Sequence, residues 1–376
     1  MTNRILRIGV IGGSINNGWA KETHIPAISL LPELELLAVG TSRIESAEKS
    51  AREFKATHAF TNTRELAQHP DVDMVVVSVK VMNHFEEVKK VIHAGKHVYC
   101  EWPLASNTDE AIELLQLADS AQIHTAIGLQ ARQAPAINYV KDLIEEGFVG
   151  RVLSANMRVN TNLMGSWTSS RSKYTVDNSL RGNLLAIFGG HSLDAFTYML
   201  GDFKELSATV QNQIKHSRVI ETGETIDKTS VDQILVNGTL LNGATACIHF
   251  QGGVTHQLGV VLEIFGDKGG LVLSVDGSSI QRGPYKLLGA RVNAENESCN
   301  LQELVVPKKY QWIPTTISKN DSAFNVAQAH SKFAKDILED TNEIPSFADA
   351  VKLHQLLDTI EKVAESGQRQ FLPIYF

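Results

Sequence analysis

The first third of the chain alternates short apolar runs with segments in which apolar residues recur every three or four positions. The runs are rich in β-branched residues, and near-continuous apolar strands are typical of a parallel sheet covered on both faces. Five such runs are LRIGVIG, LELLAVGT, VDMVVVSV, KHVYCE and IHTAIGL. This alternation predicts an N-terminal doubly wound α/β domain of the Rossmann type over residues 1–124.

Two helix ends can be located within this domain. Gly95 follows the helical segment HFEEVKKVIHA and lies where a glycine commonly ends a helix. Thr108 opens the helical segment TDEAIELLQLADSA, and its hydroxyl group predicts an N-cap there.

After Leu129 the pattern changes to strands joined by short turns. Asn242–Gly243 and the sequence DKGG at 267–270 are typical of hairpins. One helical stretch, GNLLAIFGGHSLDAFTYMLG, interrupts the strands, and two helical segments end the chain. We expect a second α/β domain over 125–376 with a largely antiparallel sheet, whose C-terminal helices either stay within it or pack back on the first domain. The polar residues 161–181 are expected to be irregular and are candidates for lining a site.

Composition and charge limit the possible partners. The 376 residues suit two domains, and 43% hydrophobic with 20% charged residues are usual for a soluble globular protein. The formal charge of −7 gives no basic surface for direct nucleic-acid binding. Cys100, Cys247 and Cys299 are scattered, which indicates a reducing compartment without disulfides or structural zinc. With neither a secretory leader nor a membrane-span pattern, we expect a cytoplasmic protein without a metal site or a membrane partner.

A glycine-rich turn, GVIGGSINNGW, lies between the first strand and the first helix. At this junction backbone N–H groups and a helix N-terminus can bind the pyrophosphate of a dinucleotide. The spacing G-x-G-x-x-G is not met, because Ser14 and Asn17 occupy the second and third glycine positions and Gly18 comes one residue late. The turn is either a plain connection or a cofactor loop formed by Gly12, Gly13, Ser14 and Gly18, and its position favours the cofactor loop.

The end of the second strand bears on which dinucleotide is bound. An acidic residue there would accept hydrogen bonds from a free ribose 2′-hydroxyl, but the sequence is GTSRIES. Ser42 and Arg43 suit a 2′-phosphate, which favours NADP(H) and leaves NAD(H) possible. The alternative is that Ser42 caps the next helix while Arg43 is simply solvated.

Four ordered motifs resemble those of the glucose–fructose oxidoreductase/inositol dehydrogenase (Gfo/Idh/MocA) family. They are IGVIG followed by HIPAI, AGKHVYCEWPLA, LIEEGFVGRV and FGGHSLDAFTYMLG, and they cover essentially the whole chain. The resemblance implies a Rossmann domain followed by an α/β domain with an open, mainly antiparallel sheet, which commonly forms a homodimer or homotetramer interface. It also implies an active site between the domains at the nicotinamide, and a small sugar-like substrate or effector.

The family motif E-K-P corresponds to Glu101, Trp102 and Pro103 in this chain. The family's lysine helps to position the substrate and to handle the hydroxyl proton. An indole carries no charge and exchanges no proton near neutral pH, although it can stack and donate a hydrogen bond. The resemblance therefore implies that Glu101 and Trp102 lie near the nicotinamide, with Trp102 unable to replace the lysine chemically.

The family motif D-x-G-x-H-x-x-D corresponds to the segment 187–194. Ile187 replaces the first aspartate, whereas His191 and Asp194 are retained, and Asp194 is a candidate substrate-binding residue. Both departures also occur in the subgroup of the fungal galactose-pathway repressor. This chain resembles that subgroup through the sequences GWA, THIPAI, EW-x-LA, FGGH and GTLLNG. That kind of protein keeps the fold and binds NAD(P), but acts by binding a transcription activator.

Two functions therefore remain open. The first is an NAD(P)-dependent oxidoreductase acting on a sugar, a polyol or a related hydroxylated metabolite. The second is a catalytically silent NAD(P)-binding regulatory protein with a protein partner.

An enzyme with Trp102 at this position must handle the proton elsewhere. His191 is the first candidate, as a general base or as a partner of the substrate hydroxyl, and a purely structural histidine is the alternative. Tyr174 beside Lys173 is the second candidate, because a neighbouring ammonium group can lower the pKa of a phenol. Most surface Lys–Tyr neighbours have no such effect.

Three more polar residues lie where strands end. Lys80 ends VVVSVK and is expected to contact the nicotinamide or a phosphate, or else to replace the lysine. Gln130 and Arg132, in GLQAR, are expected either to bind substrate hydroxyls or a carboxylate, or to stabilise the hinge between the domains.

Overall fold

The computed structural model describes residues 4–16, 18–256, 259–292, 300–314, 318 and 322–372. The chain divides into two compact units. Unit 1 consists of Met1–Gln133 with Gln311–His354, and unit 2 consists of Ala134–Tyr310 with Gln355–Phe376. The chain therefore leaves unit 1 after Gln133, returns at Gln311 and leaves it again after His354.

The core of unit 1 is a six-stranded parallel sheet in the order β3-β2-β1-β4-β5-β6. The strands are β1 Leu6–Ile11, β2 Leu34–Gly40, β3 His58–Phe60, β4 Met74–Val77, β5 His97–Glu101 and β6 Thr125–Gly128. The predicted doubly wound sheet is confirmed. β3 was not predicted, because three half-buried residues make no apolar run. β6 and the turn after it belong to unit 1, so this passage of the chain runs past residue 124.

Helices pack on this sheet, and their ends follow local chemistry. They are α1 Ile25–Leu30, α2 Ile44–Phe54, α3 Thr63–Gln68, α4 His84–His93 and α5 Thr108–Ala121. A π-helical turn, Ala20–His24, runs directly into α1. Gly95 has φ +67°, as expected for the glycine after α4. The prediction of Thr108 as an N-cap was wrong by one residue, because the Asn107 side chain accepts the Glu110 N–H at 2.9 Å.

Unit 2 is built on a nine-stranded sheet in the order β17-β16-β15-β14-β7-β13-β12-β9-β18. Its strands are β7 Val152–Asn160, β9 Phe203–Gln211, β12 Gln233–Leu240, β13 Thr245–Gln251, β14 Val260–Gly266, β15 Gly269–Val275, β16 Tyr285–Arg291, β17 Gln302–Glu303 and β18 Gln370–Phe371. Among these strands β7 and β13 pair in parallel and the other neighbours are antiparallel. The predicted mainly antiparallel sheet and both predicted hairpins are confirmed.

A smaller sheet in unit 2 has the order β11-β10-β8. Its strands are β8 Trp167–Thr168, β10 His216–Val219 and β11 Thr225–Asp227. Residues 161–181, expected to be irregular, supply β8 and two 3₁₀ turns, Ser170–Val176 and Asn178–Leu180.

The helices of the second half of the chain are α6 Pro135–Glu145, α7 Gly190–Leu200, α8 Phe324–Glu339 and α9 Phe347–Ser366. A second π-helical turn, Leu185–Gly189, precedes α7. α8 belongs to unit 1, where Phe324 and Phe333 pack in one apolar core with Ile28 of α1 and Tyr99 of β5.

Candidate functional site

The glycine-rich loop after β1 is held close to the backbone of its neighbours. Gly12 has φ +87°, and a Cβ atom built on it would lie 2.1 Å from the carbonyl oxygen of Ser78. A Cβ atom on Gly13 would lie 2.7 Å from a methyl carbon of Val39. Gly18 has φ +125° just before the π-helical turn. A positive φ and a missing side chain are therefore required at Gly12, where the loop passes the end of β4.

The end of β2 presents two exposed polar side chains. Ser42 and Arg43 are both exposed, and no acidic residue lies between Gly40 and Arg43. The alternative in which Ser42 caps α2 is wrong, because Arg43 is the capping residue and no side chain bonds the end of this helix. Thr41 instead donates its hydroxyl to the Arg43 carbonyl at 3.0 Å. The Ser42 hydroxyl and the Arg43 guanidinium thus lie on the surface at the edge where a doubly wound sheet binds ligands.

A polar cavity of about 400 Å³ lies beside this edge, where β3 ends next to β2. Its lining comes from the two residues before α3, from the first residues of α3 and from α4, and consists of Thr61, Asn62, Thr63, Arg64, Glu87 and Lys90. Lys80, at the end of the loop after β4, is exposed.

The end of β5 holds a buried carboxylate in a line of hydrogen bonds. Gln130 donates its amide N–H to both oxygens of Glu101, at 2.8 and 3.0 Å. The Nε2 atom of His24 lies 2.9 Å from Glu101 Oε1, and the Nδ1 atom of His24 lies 2.8 Å from Nε2 of His330. A Cβ atom on Gly128 would lie 2.7 Å from Glu101 Oε1, so the carboxylate occupies the space of a missing side chain.

The proton positions in this line follow from the chemistry of the groups. An ionised carboxylate only accepts hydrogen bonds, so His24 donates its Nε2–H to Glu101. Burial holds the pKa of His330 well below its usual range, so His330 is neutral. Its Nε2–H then donates to Nδ1 of His24, and its own Nδ1 has no hydrogen-bond partner among the described residues.

Trp102 follows Glu101 directly and is buried. Its ring packs on the imidazole of His354, with the centroids 4.8 Å apart and the planes tilted by 48°. Burial lowers the pKa of His354 from 6.5 to about 4. The position next to Glu101 is therefore occupied by two aromatic rings that carry no charge at neutral pH.

This lowered pKa predicts an acid-sensitive unit 1. The unfolded chain takes up a proton at His354 below about pH 6.5, whereas the folded chain does so only near pH 4, so stability is lost as the pH falls. The free energy of unfolding of wild type should fall between about pH 7 and about pH 5. In His354→Phe this fall should be smaller by about 2 kcal/mol. Denaturant unfolding at the two pH values measures this, with exposed His216→Phe as the control. An equal loss in wild type and His354→Phe would contradict the prediction.

Gln130 and Arg132 do not share one role. Gln130 is buried and its amide is bound to Glu101, so it positions that carboxylate. Arg132 forms an ion pair with Asp349, near the start of α9, at 2.9 Å. This ion pair lies within unit 1 and favours a structural role for Arg132 there over binding of a substrate carboxylate.

In unit 2 the retained histidine lies on α7. His191 and Asp194 are both buried, and His191 directly follows the first residue after the π-helical turn. Ile187 lies within that turn. Single π-helical turns are rare and are frequent at functional sites.

The surroundings of Lys173 and Tyr174 argue against the proton relay predicted for this pair. The Lys173 ammonium lies 2.8 Å from Glu224 in an exposed ion pair. Burial raises the pKa of Tyr174, and the ring packs against Gly182, where a Cβ atom would lie 2.6 Å from it. A lowered phenol pKa, which the relay needs, is therefore absent at Tyr174.

Comparison with known proteins gives the family. The model of the oxidoreductase family with an NAD-binding Rossmann fold matches residues 6–128, and the model of the Gal80p C-terminal domain matches residues 135–275. The chain belongs to the Gfo/Idh/MocA family. Within this family it resembles the Gal80 proteins.

Regulatory proteins and dehydrogenases both align with this Gfo/Idh/MocA chain. The galactose/lactose metabolism regulatory protein GAL80 of Kluyveromyces lactis is 31% identical over 74% of this chain and 66% of its own length. Dehydrogenase aclE of Aspergillus oryzae is 29% identical over 98% of both chains. The crystal structure of the transcriptional regulator Gal80p from Kluyveromyces lactis superposes with a TM-score of 0.85, at 27% identity over 98% of this chain and 92% of that one.

The residues of unit 1 fit the dinucleotide that the Gfo/Idh/MocA family model describes. The tight turn at Gly12, where any side chain would overlap the Ser78 carbonyl, agrees with such a glycine loop. Unit 1 is an NAD-binding Rossmann domain, and its cofactor is a nicotinamide dinucleotide.

Sequence reasoning missed several residues of this Gfo/Idh/MocA site. Sequence patterns assign no role to His24, yet it joins Glu101 to His330. Ser50 of α2 was not considered, yet its hydroxyl accepts the Ile15 N–H of the glycine loop at 2.9 Å. The only local signal for His24 was its place in HIPAI, and nothing near His330 or His354 marked them.

The structure also bears on the thiols, on metal sites and on membrane-spanning helices. Cys100 and Cys247 are free thiols, and Cys299 lies outside the described residues. Among the described residues no group of three or more His, Cys, Asp or Glu side chains is arranged to hold a metal ion. In the same part of the chain no helix is both long and apolar enough to cross a membrane.

Proposed function

We propose that this protein is an NAD(P)-dependent oxidoreductase acting on a sugar, a polyol or a related hydroxylated metabolite. The observation that supports this most is His191, the family's histidine, kept in a buried position directly beyond a π-helical turn. The alignment with a dehydrogenase over 98% of both chains agrees with it.

In this proposal the glycine loop of unit 1 holds the dinucleotide. When bound, the nicotinamide supplies hydride exchange with a substrate carbon. The loop of Gly12, Gly13, Ser14 and Gly18 lies against the pyrophosphate, and Gly13 donates its backbone N–H to it, since the N–H groups of Gly12 and Ser14 already bond the carbonyl oxygens of Gly40 and Gly12. Lys80 contacts a phosphate or the nicotinamide amide.

The substrate side of the proposal rests on four residues. His191 exchanges a proton with the reacting hydroxyl, and Asp194 binds a second hydroxyl. Glu101 and Trp102 form the wall beside the nicotinamide, where the apolar indole excludes water.

A substrate screen tests this function. Wild type and the double variant Trp102→Lys/Ile187→Asp are assayed with aldoses, polyols and lactones, in both directions and with both dinucleotides. Turnover by wild type supports an enzyme in which His191, and not a lysine at position 102, exchanges the proton with the substrate. A silent wild type that still binds the cofactor, together with activity in the double variant alone, would overturn the enzyme proposal.

A regulatory protein is the second candidate, and a specific observation favours it. Trp102 and Ile187 are apolar at the two positions where the family carries a lysine and an aspartate. The GAL80 protein that aligns over 74% of this chain is a regulatory protein. This candidate is established by two results together. Wild type must be silent in the screen while the double variant is active, and wild type must then capture one transcription activator in a manner that depends on the cofactor.

We propose NADP(H) as the preferred cofactor, because Ser42 and Arg43 stand exposed where an acidic residue would select NAD(H). Arg43→Ala should weaken NADP(H) binding by about 1.5–3 kcal/mol, the contribution of one charge-assisted phosphate contact, and leave NAD(H) binding nearly unchanged. Calorimetric titration of both dinucleotides measures the difference. Arg52→Ala, near the far end of α2, is the matched control. Equal losses for both cofactors would refute the 2′-phosphate contact.

We also propose a homodimer or homotetramer formed through the nine-stranded sheet. One face of this sheet carries apolar side chains that are only partly buried in the single chain, namely Leu235, Val261, Phe265, Val272 and Leu288. Sedimentation equilibrium of wild type and Val261→Arg tests this. A wild-type monomer would refute it.

A further inference from the structure

The line Glu101–His24–His330 joins three ionisable side chains inside unit 1. Glu101 ends β5, His24 ends the first π-helical turn, and His330 lies in α8. His24 and His330 are fully buried, and Glu101 is nearly so. Buried ionisable groups lower stability unless they are well paired, and apolar residues would fill this space at less cost. The arrangement therefore calls for a use beyond packing.

Two protonation states fit the same heavy-atom positions. In the first, neutral His24 donates from Nε2 to Glu101 and accepts at Nδ1 from His330, and the line carries one negative charge. In the second, His24 has gained a proton from solvent and donates from both nitrogens. His330 then accepts at Nε2, and its own proton moves to Nδ1, which has no other hydrogen-bond partner in the described structure. The line is now neutral overall.

The other titratable groups around this line stay fixed near neutral pH. Burial raises the pKa of Tyr99 and of Cys100, both on β5, well above their usual values. Burial lowers the pKa of His84, which lies between the carbonyl oxygens of Pro103 and Val79. Gln130 and Gly128 do not titrate. Within the line, Glu101 and His24 are the carboxylate and imidazole that share a hydrogen bond, and His24 also contacts His330.

We propose that Glu101, His24 and His330 form a proton-linked site that selects the redox state of the bound nicotinamide cofactor. This rests on the cofactor binding of the proposed function, with Glu101 beside the nicotinamide. An oxidised nicotinamide ring carries a positive charge and a reduced ring carries none. The deprotonated, negative line favours the oxidised form, and the protonated, neutral line favours the reduced form.

Linkage fixes the direction of the pH dependence. If a proton on His24 weakens binding of the oxidised form, the oxidised form also weakens binding of that proton. As the pH rises, the ratio of the Kd for NADPH to the Kd for NADP⁺ must therefore rise. Exchange of one proton allows a change of at most about tenfold per pH unit. Titration of the 2′-phosphate is common to both ligands and cancels in the ratio.

The test is calorimetric titration of wild type and variants with NADP⁺ and with NADPH, from about pH 5 to about pH 8, the range in which imidazole charges change. Wild type should show the rising ratio. His24→Gln, whose amide still donates to Glu101, should keep the preference for NADP⁺ and lose its pH dependence. His124→Gln, at the opposite end of the sheet before β6, is the matched control and should behave as wild type.

His330 variants keep the test decisive if His24→Gln fails to fold. His330→Phe removes the acceptor for the second proton of His24, so the rise in the ratio should move to lower pH. His330→Gln, whose amide can donate or accept, should restore the wild-type curve. A flat ratio in wild type, or equal curves for His330→Phe and His330→Gln, would overturn the proposal. If wild type turns over a substrate but its ratio of Kd values stays flat with pH, the proton-linked site is overturned and the enzyme proposal stands. If the ratio rises but no substrate is turned over, the enzyme proposal is overturned and the proton-linked site stands. Failure to bind either cofactor would overturn both.

Discussion

Replacing His191 with alanine is expected to lower turnover by about 10²–10⁴-fold, the usual contribution of a positioned acid/base group. Cofactor affinity should stay close to that of wild type, because the glycine loop lies in unit 1 and His191 in unit 2. Steady-state kinetics with the best substrate from the screen, together with a cofactor titration, measure the two effects separately.

Two further variants separate chemistry from packing at this position. His191→Gln keeps a hydrogen-bonding side chain but cannot exchange a proton, so it should be nearly as slow as His191→Ala. His216→Ala replaces an exposed histidine of unit 2 and should leave turnover unchanged. If His191→Ala only lowers the free energy of unfolding while turnover persists, His191 is a structural histidine.

Gly12→Ala is expected to weaken binding of either dinucleotide by about 30-fold or more. A residue strained at positive φ costs about 1–3 kcal/mol, and a methyl group overlapping the Ser78 carbonyl adds about 1–3 kcal/mol. The loop can relieve both only by moving its backbone away from the end of β4, and each loss of about 1.4 kcal/mol is tenfold in affinity. Fluorescence titration with NADPH and thermal unfolding of the free protein measure the effect.

Gly95→Ala is the matched control for strain without overlap. Gly95 also has a positive φ, +67°, but no heavy atom would lie within 4 Å of its Cβ atom. This variant should lose about 1 kcal/mol of stability and bind the cofactor as wild type does. Gly12→Ala with wild-type affinity would show that the loop does not hold the pyrophosphate.

Regular patterns in the sequence were enough to predict the main features of the fold. Buried strands such as VDMVVVSV and turns such as Asn242–Gly243 are set by neighbours within a few residues, so their structures can be read locally. β3 and α3 escaped prediction because three and six residues form too short a pattern. Asn107 and Thr108 are both good capping residues, and local sequence does not decide between them.

The candidate site was less predictable because its contacts come from distant parts of the chain. Local sequence pointed to a Lys173–Tyr174 pair, but the partner of Lys173 is Glu224, fifty-one positions later. Apart from its place in HIPAI, no sequence pattern marks His24, and its two partners are Glu101 and His330. Glycine spacing and the residues at strand ends could be read in advance, whereas side-chain partners across the fold could not.

The return of the chain to unit 1 has a consequence for how the protein is made. α8 completes the apolar core around Ile28 and Tyr99, yet it is synthesised some two hundred residues after β6. The first unit cannot finish folding when its sheet is complete, because Phe324 and Phe333 have not yet been made. Domains that fold during synthesis usually do so in order from the N-terminus. Here the growing chain must keep an unfinished apolar surface out of contact with other chains until α8 appears. A fragment that stops after Gln133 would expose that surface permanently, so the dinucleotide-binding half of this protein is not a transplantable module.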